Sequence, residues 1–79
     1  MSQTTAAFVL VTVDTGREQE VIEDLKKIPQ IKNIDYVYGN FDLVVKVKVK
    51  SMNELQKVLD KIRQMDHIRS TLTMIIRRC

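Results

Sequence analysis

Tryptophan is missing from this chain, and cysteine, proline and histidine occur once each. Each scarcity removes a class of function. A lone thiol, Cys79, cannot close an internal disulfide, which excludes a disulfide scaffold and fits a reducing, cytoplasmic setting. At the very end of the chain it reads as a fraying residue, not a reactive thiol. The lone imidazole, His67, has no thiol or second imidazole near it, so it reads as a surface residue and not as a metal ligand or base. With glycine only at positions 16 and 39, no glycine-rich phosphate loop precedes a helix. No nucleophile is paired with a base, so no enzyme, metal or cofactor is expected. Neither sign of charge dominates: 13 Lys and Arg against 10 Asp and Glu leave +3, which does not demand a nucleic-acid partner. The apolar run at 6–13 is too short to span a membrane, and it lacks the basic lead and small-residue cleavage site of a signal peptide.

What is present is periodic. The 79 residues make one domain, 1–79, and 44% of them are hydrophobic, too many for disorder. So short a chain buries about 60% of its unfolded surface and is marginal as a lone monomer. Residues 6–13 (AAFVLVTV) are β-branched and apolar on both faces, as in a central strand. Thr15 to Glu18 spells T-x-x-E, a capping box that predicts a helix start. Val21, Ile22, Leu25 and Ile28 then form one helical stripe, which Pro29 ends. Residues 34–38 (IDYVY) alternate like a strand, Gly39-Asn40 is a two-residue hairpin signal in reversed order, and 41–50 (FDLVVKVKVK) alternate again. Ser51 to Glu54 is a second capping box, opening a helix with Leu55, Val58, Leu59, Ile62 and Met65 on one side. Residues 70–77 (STLTMIIR) close the chain as a strand.

The order is β-α-β-β-α-β, and the apolar spacing of the first helix recurs about 37 positions later, in keeping with a doubled βαβ unit. Right-handed crossovers put both helices on one face of a four-stranded antiparallel sheet. The expected fold is therefore α+β, ferredoxin-like. It lacks the C-x-x-C of metal-carrying members. The sets Val9, Val11, Val13, then Leu43, Val45, Val47, then Leu72, Met74, Ile76 are expected to face the helices. Alternation then turns Phe8, Leu10, Thr12, Val44, Thr73 and Ile75 to the open side. A soluble monomer rarely leaves such a patch wet, so Phe8, Leu10, Val44 and Ile75 are expected in a dimer interface. Lys46, Lys48 and Lys50 share that side at one end. They read as a phosphate-binding stripe or as a solvated rim that limits edge-on aggregation, and their aliphatic flanks favour the rim. RNA recognition on this topology needs exposed aromatics on the third strand, which offers Asp42, Val44, Lys46 and Lys48 instead. With both helices covering the sheet, no helix is left to read a DNA groove, so no specific DNA binding is expected.

The turn Tyr38-Gly39-Asn40-Phe41-Asp42 remains. Tight-turn N–H groups suit a carboxylate and an aspartate suits an ammonium, so a free amino acid is one reading. An ordinary hairpin turn with an ordinary turn aspartate is the other.

Three stretches in order, AFVLVTVDTG at 7–16, G-x-F-D at 39–42 with LVV after it, and HIRSTLTMIIR at 67–77, resemble the C-terminal effector domain of the leucine-responsive/asparagine (Lrp/AsnC) family of transcription regulators. This is also called the regulation of amino acid metabolism domain. The resemblance implies dimers joined through their sheets, assembly into octamers or rings, and a free amino acid bound between dimers. It places the effector at Gly39, Asn40, Phe41 and Asp42, with Thr71 and Thr73 reached from a neighbouring subunit; both threonines also read as plain β-branched strand residues. Family members normally carry an N-terminal helix-turn-helix half of about 50 residues or more. Here Met1 to Thr5 alone precede the first strand, so a stand-alone sensor is expected, acting through full-length Lrp/AsnC proteins or by itself. The rivals are a structural module of the same fold that binds no small molecule, and an ACT-type allosteric domain with its ligand nearer a strand-to-helix turn.

Overall fold

The computed structural model describes residues 5–76. Cys79 and Arg77 lie outside the described residues. Six elements follow in order: β1 (Thr5–Val13), α1 (Glu18–Lys26), β2 (Ile31–Tyr36), β3 (Leu43–Val49), α2 (Met52–Arg63) and β4 (Ile68–Ile76). The strands form one antiparallel sheet in the order β2-β3-β1-β4, the ferredoxin-like arrangement expected. The most apolar strands, β1 and β3, take the centre, where both faces can be covered. Val9, Val11, Leu43, Val45 and Val47 are fully buried against Val21, Leu25, Leu55 and Ile62 of the helices. Each such side chain contributes about 1.5–3 kcal/mol of transfer free energy. Among the described residues no polar or charged side chain is buried in this core. No described helix is long and apolar enough to cross a membrane.

The two capping boxes have different fates. Ser51 caps α2, its Oγ accepting the Glu54 N–H at 3.1 Å, while Glu54 Oε1 accepts the Lys50 N–H at 2.7 Å. Glu54 Oε2 also accepts from the Gln30 amide at 3.0 Å, so one side chain ties the α1–β2 connection to the start of α2. The first box does not form. Gly16 takes a left-handed φ of 85°, Arg17 N–H closes a turn onto the Asp14 carbonyl at 3.0 Å, and α1 starts at Glu18 with no side-chain cap. Glu18 is thereby in the first turn, where its charge complements the helix dipole instead of closing a box.

Two further expectations are corrected. β2 begins at Ile31 and ends at Tyr36, so a six-residue loop, 37–42, replaces the two-residue hairpin. The parity of β4 is also reversed. Paired residues on neighbouring strands share a face, and Val9 and Val11 pair with Thr73 and Thr71. Thr71, Thr73 and Ile75 therefore lie on the helix side, while Leu72, Met74 and Ile76 join Phe8 and Leu10 on the open face. β4 is apolar at both parities, so its own pattern cannot choose a face; the hydrogen-bond register with β1 chooses. Ile75 leaves the open patch for this reason. It pairs with Ala7 and stays 45% exposed near the strand end.

Candidate functional site

The 37–42 loop is folded by backbone bonds and held onto β1. Val37 N–H donates to the Asp42 carbonyl at 3.0 Å, and Asp42 N–H donates to the Val11 carbonyl at 2.9 Å. Gly39 has a φ of 123°, which L-residues avoid, and no atom lies within 4 Å of where its Cβ would sit. Conformation, not crowding, calls for glycine there. Thr12 Oγ1 donates to the Asn40 carbonyl at 3.4 Å. Asp42 is more than a turn residue: its Oδ2 accepts the Val13 N–H at 2.8 Å, binding the end of β1 beyond the last β1–β3 pair. Among the described residues its Oδ1 has no hydrogen-bond partner, and neither have the N–H groups of Gly39, Asn40 and Phe41.

Beside this loop lies an open cleft of about 430 Å³, walled by Gly16, Glu18 and Gln19 at the start of α1 and by Tyr36, Val37, Tyr38 and Asp42. Its polar groups are mainly acceptors. Two carboxylates and two tyrosine rings suit a cationic group, whereas Gly39, Asn40 and Phe41 do not line the cleft. Tyr38 is fully exposed and Tyr36 is 64% exposed, so neither is a core residue.

Thr71 and Thr73 are not part of this cleft. Both point to the helix side of β4, and the Thr73 Oγ1 is enclosed with no hydrogen-bond partner. The open face is a separate surface. Its rows run Asp35, Val44, Leu10, Leu72 and then Asn33, Lys46, Phe8, Met74, polar at the β2 edge and apolar toward β4. Lys46 places its ammonium 5.9 Å from the centre of the Phe8 ring. His67, about a third exposed, lies between two carboxylates: its Nδ1 is 3.5 Å from Asp14 and its Nε2 3.2 Å from Glu20, linking the β1–α1 turn, α1 and the α2–β4 connection. Among the described residues no group of three or more His, Cys, Asp or Glu is placed to hold a metal ion.

Residues 6–78 match the family described as the Lrp/AsnC ligand binding domain. The chain belongs to that family. It is 39% identical over 70 residues to the HTH-type transcriptional regulator FL11 of Pyrococcus horikoshii, covering 89% of this chain and 46% of that one. This Lrp/AsnC domain thus spans about half the length of the curated relatives it matches. Among solved structures, the hypothetical protein PHS023 from Pyrococcus horikoshii is 39% identical with a TM-score of 0.85, over 94% of this chain and 90% of that one. TTHA0845 from Thermus thermophilus is 30% identical with a TM-score of 0.88, over 95% of each. Within this Lrp/AsnC domain, Glu18, Gln19 and Tyr36 are cleft residues that sequence reasoning passed over, while Tyr38 opens the turn it singled out. The available signal was the pair of tyrosines at alternate positions just before Gly39, two of the four aromatics in the chain.

Proposed function

We propose that this Lrp/AsnC domain, acting as one unit over residues 1–79, is a non-enzymatic sensor of a free amino acid, held at the cleft beside Gly39, Asn40, Phe41 and Asp42. The observation that carries the proposal is the Asp42 carboxylate: one oxygen is committed to the fold and the other has no hydrogen-bond partner, in a residue that lines the cleft together with Glu18. The ammonium would meet Asp42 and Glu18, and the carboxylate the turn backbone. Thr71 and Thr73 are left out of the contact set because they face the helices. Phe8, Leu10 and Val44, with Leu72 and Met74, would be covered by a second copy of the sheet, and dimers would assemble further into an octamer or ring. A neighbouring dimer over the cleft would desolvate the ammonium–carboxylate contact, which is worth little on an open surface. The transcriptional consequence would run through full-length Lrp/AsnC relatives.

Calorimetric titration with each free amino acid tests this. Asp42→Asn should keep the shape, remove the charge and weaken the tightest amino acid by about 1.5–3 kcal/mol, the worth of a charged hydrogen bond. Equal binding to both proteins rules out the charge role. If no amino acid binds the wild type at millimolar levels, the structural-module reading takes its place.

A further inference from the structure

At the other end of β3, about 20 Å from the Asp42 loop at the rise of a strand, lies a second cleft unrelated to the effector reading. It is an open groove of about 340 Å³ between Pro29, Gln30, Lys32, the end of β3 and Glu54. Three lysines from two neighbouring strands converge on it: Lys32 from β2, Lys48 from β3 and Lys50 just beyond β3. Lys32 Nζ donates to the Pro29 carbonyl at 3.1 Å, which keeps its ammonium at the cleft wall. Among the described residues none of the three lysines makes a salt bridge. The cleft has one carboxylate, Glu54, and both its oxygens are occupied, by the Lys50 N–H and by the Gln30 amide. The carboxylate serves the helix cap and, still ionised, offsets one of the three lysine charges, Lys50 among the groups that favour its charged form, so the groove keeps a net positive charge of two.

Three lysines against one carboxylate, none of them within salt-bridge distance of it, favour an anion of more than one charge. Lysine acts on phosphate as a point charge, and the cleft has no arginine fork that would select a planar carboxylate. Its volume falls within the range of small-molecule sites. We infer that the Lys32, Lys48 and Lys50 cleft binds the linked phosphoryl groups of a small polyphosphate anion, free or as part of a nucleotide. Lys48 and Lys50 are exposed, as a solvated rim would be, and the fold adds Lys32, distant in the chain, to the same groove.

The test titrates the full chain with inorganic tripolyphosphate and, separately, with a nucleoside triphosphate, at about 0.1 M salt so that diffuse surface attraction is screened. Saturable binding to one site per protomer is expected, weaker by about ten-fold in each of Lys48→Gln and Lys50→Gln. It should be unchanged in Lys26→Gln, whose lysine lines a different cleft between α1 and β2. Equal affinity for the two probes assigns recognition to the phosphates alone, and tighter nucleotide binding adds contacts beyond them; both support the site. Thermal unfolding of each variant separates lost binding from lost fold. The inference is overturned by absence of saturable binding at millimolar probe or by an equal loss in Lys26→Gln.

Discussion

Removing the Asp42 carboxylate tests whether this residue holds the fold as well as a ligand. In Asp42→Ala the Val13 N–H loses its 2.8 Å acceptor. Val13 is only 3% exposed, so water cannot easily replace the lost oxygen. An unpaired buried donor costs about 1–3 kcal/mol. A domain of this length has a total stability of roughly 4–12 kcal/mol, so the loss is a substantial fraction. In urea the midpoint should fall by roughly 1–3 M at a slope near 1 kcal/mol/M, with the slope itself unchanged. In a thermal scan the midpoint should fall by about 4–8 °C for each kcal/mol. Asp42→Asn keeps an oxygen where Oδ2 was and should lose less than about 1 kcal/mol. Circular dichroism at fixed protein concentration measures both, the concentration being fixed because any self-association adds to apparent stability. An alanine variant as stable as wild type, or an asparagine variant as damaged as the alanine one, would refute the anchoring role. Together with the titration above, the pair separates structure from binding: Asp42→Asn should bind weakly while remaining folded.

Leu10→Asp places a charge in the middle of the open sheet face, between Val44 and Leu72. It should convert a dimer to monomer or insoluble chain, because a buried unpaired charge is not tolerated, and sedimentation of the wild type as a monomer at micromolar concentration would sink the interface reading. Glu54 is held below its ordinary range, chiefly by the Lys50 backbone N–H and then by the Gln30 amide. A carboxyl lowered on folding stabilises the native state fully above its unfolded value, and that stability is lost as pH falls through the lower folded value. Acid unfolding of Glu54→Gln should therefore show a shallower fall across the low-pH carboxylate range than wild type, and parallel curves would contradict the capping account.

How much was legible in the sequence differs between elements for physical reasons. The order β-α-β-β-α-β was legible because hydrophobic period and turn residues are local properties. The stripe of Leu55, Val58, Leu59 and Ile62 and the Ser51 cap were both read correctly. The same spacing at Thr15 failed because a left-handed Gly16 and the turn at Asp14 intervene, a geometry that T-x-x-E does not encode. The Gly39 turn was found, but not its partners, since Val13 lies 29 residues from Asp42 and Glu18 and Tyr36 meet only when α1 is laid beside β2.

The sequence by itself determined which residues prefer helix or strand and which of β1 and β3 must be buried. Tertiary structure alone decided the face of each β4 residue, the second role of Asp42 and the meeting of Lys32 with Lys48. Periodicity fixes one strand's alternation only up to a choice of side. Where both sides are apolar, that choice belongs to the hydrogen-bond register with the neighbouring strand, and register is a property of two segments at once.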